Sequence, residues 1–154
     1  MKCERIFDQE KKSKITEEVL RDLPTWFGIE ESTQEYIEDV KTLDFYSVGS
    51  EDLIGFMAIK EVYSEVANLH VLGVKKAYHK QGIGTLLYEH VEKNLVNQGY
   101  KYVSVYTLSE KHSDLGYKKT RHFYEKVGFS PVFESATEWG EKNPFLLMIK
   151  KIGK

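Results

Sequence analysis

Apolar residues near the start of the chain recur at helical spacing. Four of them fall on one face of a helix: Ile15, Val19, Leu20 and Leu23. Thr16 and the acidic pair at 17–18 suit the first turn of that helix, and Pro24 stops it. A second, shorter helix is predicted to open at Ser32 and to run through Val40. The first part of the chain is therefore predicted to be helical.

From Asp44 onward the hydrophobic pattern changes to a repeat of two. Phe45–Val48 and Leu53–Ile59 alternate as strands do, and the residues at 49–52 between them are typical of a turn, which predicts an antiparallel hairpin. Val66–Val74 is almost continuously apolar, and this predicts a strand covered on both faces.

A long amphipathic helix is predicted after a polar loop over 75–81. Its inner face is formed by Ile83, Leu86, Leu87, His90, Val91 and Leu95, and it ends at Asn97-Gln98-Gly99. Four more elements follow: a strand over Tyr102–Thr107, a helix from about Lys118 to Val127, and strands over Phe129–Glu134 and Phe145–Lys150. A strand, a helix and a strand in succession predict a parallel pair with a right-handed crossover. No repeat or linker interrupts this order, so residues 1–154 are expected to form one mixed α/β domain.

Composition narrows the class of protein. The 154 residues are 41% hydrophobic and 30% charged, with a formal net charge of −2, which suits a globular domain and argues against a nucleic-acid binder that neutralises phosphates. The longest apolar runs are far shorter than the roughly 20 residues of a membrane-spanning helix. The charged start of the chain lacks the apolar stretch of a secretory signal, so we expect a cytoplasmic protein with Cys3 as a reduced thiol. The histidines lack metal-ligand spacing, and no metal is expected.

The strongest chemical signal lies between a predicted buried strand and the start of the long helix. Gly82 and Gly84 let the backbone approach a ligand closely, and the free amides of a first helical turn suit a phosphate. A tight turn that binds nothing would have the same composition. The Rossmann fingerprint fails because Leu87 stands where its third glycine is needed, and the chain has no P-loop sequence.

Two segments resemble the signatures of the GNAT N-acetyltransferase family. The run His79-Lys80-Gln81-Gly82-Ile83-Gly84 is similar to the family's pyrophosphate loop, which has Arg or Gln, two residues, Gly, one residue, then Gly or Ala. His79 departs from that pattern at the first position. The run Phe123-Tyr124, three residues, Gly128-Phe129 resembles the second signature. The resemblance is strong over about 66–149 and only architectural before it.

The resemblance implies a fold, a cofactor and a set of binding residues. The fold would be α/β (mixed α+β) and GNAT-like: a central mixed, mostly antiparallel sheet, flanked by helices, whose parallel strand pair forms an acetyl-CoA cleft. Backbone groups of Leu72 and Val74 would bind the pantetheine arm. Tyr124 would contact the cofactor and act as general acid toward the departing thiolate. The pyrophosphate would be held by the loop and first turn: His79, Lys80, Gln81, Gly82, Ile83, Gly84 and Thr85.

The general base is left open between two residues. Many family members carry a glutamate on the strand before the loop, at the position that Asn68 occupies here, and an amide cannot take a proton. His70 lies two residues on and would project from the same face of the strand. Glu65 stands at the start of that strand and could act through a water molecule.

The resemblance also implies an acceptor and its binding region. Trp26, Phe27 and Trp139 fall in segments that wall the acceptor site in the family. The expected reaction is transfer of acetyl to a primary amine of a small molecule or a peptide, with no membrane or nucleic-acid partner. The sequence leaves open whether the protein is a homodimer. Because Asn68 replaces the usual carboxylate, a catalytically weak acyl-CoA-binding module of the same fold stays as the alternative.

Overall fold

A computed structural model describes residues 1–108, 115–135 and 145–154 of the chain. Four α-helices lie in this part: α1 Gln9–Arg21, α2 Glu30–Asp39, α3 Ile83–Asn97 and α4 Leu115–Lys126. Two short 3₁₀ helices lie at Val40–Thr42 and Lys76–Tyr78. Seven strands accompany them: β1 Lys2–Arg5, β2 Asp44–Gly49, β3 Leu53–Tyr63, β4 Val66–Val74, β5 Tyr102–Leu108, β6 Ser130–Ser135 and β7 Phe145–Lys151.

All seven strands form one sheet in the order β1-β2-β3-β4-β5-β7-β6. Every pair is antiparallel except β4 and β5, which are parallel. The expected fold class is therefore confirmed: a mixed, mostly antiparallel sheet with one parallel pair and flanking helices.

Helices cover the sheet on both faces because each presents an apolar stripe. Val19 and Leu20 of α1 are fully buried and pack with Phe45, Phe56 and Val71 of the sheet on one face. The other face carries the apolar sides of α3 and α4. Its fully buried members include Leu87, Val91, Leu95, Val103 and Met148. The central strands are thus buried on both sides, as the apolar run of β4 predicts.

The first helix begins earlier than predicted. It starts at Gln9 instead of near Thr16, because the side chain of Asp8 accepts a hydrogen bond from the Lys11 amide at 2.8 Å and caps the helix. The polar first turns remain helical because Ser13 donates to the Ile37 carbonyl at 2.7 Å. Hydrogen bonds that no apolar repeat reveals therefore extend α1 toward the chain start.

The cap makes a stability prediction. Asp8→Ala should lower the free energy of unfolding by about 1 kcal/mol and the melting temperature by about 2–4 °C, because one amide of the first turn loses its acceptor. Gln9→Ala, at the neighbouring exposed position, should change neither, and calorimetry of the two variants checks the difference. Equal melting temperatures would exclude a stabilising role for this cap.

Sequence patterns also misplace several ends. Strand β1 is not predicted at all, since three of its four residues are charged and show no apolar alternation. Helix α2 begins at Glu30 instead of Ser32, and α4 begins at Leu115 instead of near Lys118. Strand β6 begins after Phe129, whose amide donates to the Tyr124 carbonyl at 2.9 Å and closes the helix.

Candidate active site

The two parallel strands separate partway along their length and leave a cavity. Pairing of β4 with β5 ends at Asn68 and Ser104, although β4 continues to Val74 and β5 to Leu108. The cavity between them measures about 1180 Å³. Its walls come from β4, β5, the start of α3, the segment after α1 and helix α4.

A β-bulge at His70 accompanies the separation. Across the β3–β4 pair, Ala58 lies opposite Val71 while Ile59 lies opposite Leu69, so His70 is an extra residue on β4. A bulge of this kind bends its strand and increases the local twist. The bend lies two residues past the last pair with β5, where the cavity opens.

The separation leaves one edge of β4 without a partner strand. The Lys75 amide donates to the Ile54 carbonyl of β3 at 2.8 Å. Because backbone groups alternate along a strand, those of Gly73 also face β3, and those of Leu72 and Val74 face the gap. The Val74 carbonyl is contacted there by His79 Nε2 at 2.6 Å. The two residues expected to bind an extended arm therefore present main-chain groups to the cavity, of which the Val74 carbonyl is bonded to His79.

The loop before α3 has the backbone conformation of an anion cradle. Lys80 and Gly82 both adopt left-handed conformations, with φ of 63° and 76°. Gly82 is the N-cap of α3, so the amides of the residues at 83–85 begin the helix without acceptors one turn earlier. Backbone amides in left-handed turns form a concave site that suits an anion. The positive end of the helix dipole at the start of α3 adds to this.

Gly84 is needed for close packing of two helices. A Cβ atom there would lie 3.1 Å from the ring of Phe123, which is tighter than ordinary side-chain contact. A glycine lets α3 approach α4, which carries Tyr124. The two sequence signatures are thus in direct contact in the fold.

The cradle yields a binding prediction with a matched control. Gly82→Glu would set a carboxylate among the amides that suit phosphate, and acetyl-CoA should bind about 10- to 100-fold more weakly in calorimetry, since charged hydrogen bonds contribute about 1.5–3 kcal/mol. Gly99→Glu at the far end of α3 is the control, because both glycines have positive φ and open space around them. The strain is then alike in both variants, and only Gly82→Glu should lose affinity. Equal affinities would remove the loop from the binding site.

Tyr124 lies in the cavity wall and is 4% exposed. No described residue forms a hydrogen bond with its hydroxyl. Burial, and then the nearby Tyr117 and Tyr36, raise the pKa of Tyr124, so the hydroxyl stays protonated across ordinary assay conditions. The side chain is therefore a buried, uncommitted hydrogen-bond donor at the cavity.

His70 also lines the cavity and is held by a carboxylate. Its Nε2 lies 3.0 Å from Asp39 Oδ2 of α2, and its ring meets the Tyr36 ring edge-to-face at 5.7 Å. Burial, and then the charges of Asp39 and Glu35, raise the pKa of Tyr36. One imidazole nitrogen is thus held by Asp39, and no described residue forms a hydrogen bond with the other, Nδ1. The sequence gives no signal for Asp39 or Tyr36, because they come from a helix 31 residues or more away.

The other two residues considered for the base lie in different surroundings. Asn68 is buried, and its amide donates to Ser104 Oγ at 2.9 Å and to the Ser104 carbonyl at 3.2 Å. These hydrogen bonds join β4 to β5 at their last paired position. Glu65 pairs with Lys101 Nζ at 2.8 Å and lies outside the residues that line the cavity.

The segment after α1 contributes two aromatic residues to the cavity wall. Trp26 Nε1 donates to Thr120 Oγ1 of α4 at 3.1 Å, and the Trp26 ring meets His79 edge-to-face at 5.7 Å. Phe27 packs edge-to-face on Tyr36 at 6.0 Å. Trp139, the third expected acceptor residue, lies outside the described residues.

Four lysines are the charged groups, besides histidine, in the described wall: Lys76, Lys80, Lys119 and Lys126. No carboxylate lines that part of the cavity. A basic wall next to a cradle of amides suits the phosphates of an acyl-CoA. Within the described ranges, no helix is both long and apolar enough to cross a membrane.

Solved structures show the same fold. An aminoglycoside 6′-N-acetyltransferase complexed with coenzyme A matches with a TM-score of 0.79 and 21% identity over 99% of this chain and 97% of that one. The aminoglycoside 6′-N-acetyltransferase from Enterococcus faecium has a TM-score of 0.75 at 20% identity, over 99% and 97% of the two chains. The ribosomal-protein-S18-alanine N-acetyltransferase from Escherichia coli has a TM-score of 0.75 at 15% identity, over 99% and 96%.

Sequence comparison assigns the family. No curated protein sequence matches the chain. The model of the acetyltransferase (GNAT) family matches residues 12–129, which span both signatures and the whole cleft between β4 and β5. The chain therefore belongs to the GNAT family of acetyltransferases: it is an acyltransferase, and its cofactor is acetyl-CoA.

Proposed function

We propose that this protein transfers an acetyl group directly from acetyl-CoA to a primary amine of a small molecule or a peptide. One observation carries the proposal: the cavity with the cradle and the free edge of β4 also contains His70 and Tyr124. A binding module would need the cradle and the edge but neither of these two side chains.

The cradle and the free strand edge would hold acetyl-CoA at two places. The loop and first turn at 79–85 would bind the pyrophosphate through amides, with Lys80 nearby as a counter-charge. The main chain of Leu72 and Val74 would bind the amides of the pantetheine arm, as a partner strand would. His79, bonded to the Val74 carbonyl, would have to release it or share it.

The reaction needs two proton transfers, and we propose one side chain for each. Acetyl-CoA supplies an acetyl thioester, whose carbonyl carbon forms a bond with the amine nitrogen while its bond to sulfur breaks. An alkylamine arrives mostly as an ammonium at neutral pH, so a base must remove a proton from nitrogen. His70, oriented by Asp39, is the residue we propose for this step. The sulfur leaves as a thiolate, and Tyr124 would donate a proton to it.

The acceptor end of the cavity favours an amine on an apolar or aromatic body. Trp26, Phe27 and Tyr36 present rings there, and ring faces attract an ammonium. The described wall has no carboxylate that would recognise a polycation. We propose that Trp26 and Phe27 contact this substrate.

A screen of amines with acetyl-CoA, read by release of free thiol, tests the proposed function. The panel should pair each aromatic amine with a polycationic amine of similar size. Amine-dependent thiol release, with the acetylated amine found by mass spectrometry, is the expected result. If coenzyme A binds in calorimetry but no amine releases thiol, the alternative of an acyl-CoA-binding module applies instead.

A further inference from the structure

Thr107 of β5 carries a buried polar atom that the fold does not use. The residue is 4% exposed, and it lines the cavity. Its hydroxyl oxygen is itself inaccessible to solvent and has no hydrogen-bond partner. Such an atom is costly, because it has lost its water and gained nothing in return.

Strand register places Thr107 three residues from the closed end of the cleft, level with the middle of β4. The last pair of β4 and β5 joins Asn68 to Ser104. Thr107 lies three residues beyond that pair on β5, and Val71 lies three beyond it on β4. The cradle at 79–85 lies past the other end of β4. If the pyrophosphate of acetyl-CoA lies in the cradle, the pantetheine arm follows β4 away from it. The sulfur end of the arm then lies beside Thr107.

Thr107 and Tyr124 lie on the same side of the sheet. Val103 and Val105 pack in the cluster that contains Tyr124, and side chains two residues apart share a face of a strand. Both residues line the cavity from that side, and neither hydroxyl has a partner among the described residues. Tyr124 is proposed to act at the sulfur, so a second free hydroxyl on this face is suited to the part of the arm beside it.

We propose that the Thr107 hydroxyl hydrogen-bonds the pantetheine arm of acetyl-CoA next to its thioester end and so positions the thioester. This inference rests on the proposed function only in placing the arm along β4. A hydroxyl can donate one hydrogen bond and accept two, which matches the amide groups of such an arm. Thr107 would thus be a positioning residue whose buried hydroxyl is satisfied by the cofactor.

The test separates the free protein from the complex. Thr107→Val keeps the shape of the side chain and removes the hydroxyl. The melting temperature of the free protein should stay the same or rise, because an unpaired buried hydroxyl is lost. Coenzyme A should bind about three- to tenfold more weakly in calorimetry, the usual contribution of a neutral hydrogen bond. Thr107→Ser keeps the hydroxyl and should bind coenzyme A within about twofold of the parent, even if its melting temperature falls.

A second ligand distinguishes the arm from the nucleotide. Adenosine 3′-phosphate 5′-diphosphate is the half of coenzyme A without the arm, and its affinity should be the same for the parent and Thr107→Val. Unchanged affinity of Thr107→Val for coenzyme A would overturn this inference alone. Equal weakening for both ligands would also overturn it, since the effect would not come from the arm. If the parent binds neither ligand, the proposed function fails as well.

Discussion

Replacing Tyr124 by phenylalanine should lower kcat by about 10²–10⁴-fold, the usual effect of losing a general acid. The ring stays in its packing against Phe123 and Phe129, so only the hydroxyl is lost. Because that hydroxyl has no partner among the described residues, the melting temperature should not fall. Coenzyme A should bind with nearly the parental affinity, and steady-state rates under conditions where chemistry is limiting measure the effect.

A second buried tyrosine provides the control. Tyr88 is 1% exposed, and its hydroxyl donates to Glu92 at 3.0 Å, outside the residues that line the cavity. Tyr88→Phe should lower stability and keep kcat, the opposite pattern to Tyr124→Phe. Parental turnover by Tyr124→Phe would remove Tyr124 from the mechanism.

The raised pKa of Tyr124 also makes a prediction about pH. A tyrosine donates its proton only while protonated, and burial shifts its loss of that proton above pH 10. Loss of the Tyr124 proton should therefore not lower the parental rate below pH 10. Any fall in rate in that range should also be present in Tyr124→Phe. A fall that disappears in Tyr124→Phe would mean that the hydroxyl ionises much earlier than its buried surroundings allow.

His70→Gln should lower kcat/KM by about 10²–10⁴-fold near pH 7, because the bound ammonium loses its base. Much of this loss should be recovered at pH 9, where a larger share of the amine arrives neutral. The rate of the variant should therefore rise more steeply with pH than the parental rate does. Rates at a series of pH values, with one amine substrate, measure both effects.

Two further variants distinguish a base from a structural histidine. His90→Gln on α3, outside the cavity lining, should keep the parental pH profile. Asp39→Asn should lower kcat less than His70→Gln and leave the affinity for coenzyme A unchanged, because Asp39 only orients the ring. If His70→Gln keeps the parental pH profile and loses only stability, His70 is a structural residue and solvent water accepts the proton.

Local patterns were sufficient for most of the fold. The bounds of β4 and α3 agree with the structure because each combines a strong apolar repeat with a clear breaker, such as Gly99 after α3. The start of α1 was wrong because a cap at Asp8 and a hydrogen bond from Ser13 to Ile37 hold a polar segment in a helix. The position of β7 between β5 and β6 could not be read, since pairing partners distant in sequence leave no local signal.

The sequence by itself determined those parts of the site that lie within one short segment of the chain. The cradle needs glycines and a helix start within a few residues, and the Phe123-Tyr124 pair lies on one helix. Both motifs can therefore be recognised from consecutive residues. Only the tertiary structure decided the rest. The bulge at His70 is a mismatch between two strands, and Asp39 contacts that ring from helix α2. The Thr107 hydroxyl is unpaired because no hydrogen-bonding group packs against it in the fold. The spacing of residues along the chain cannot show this.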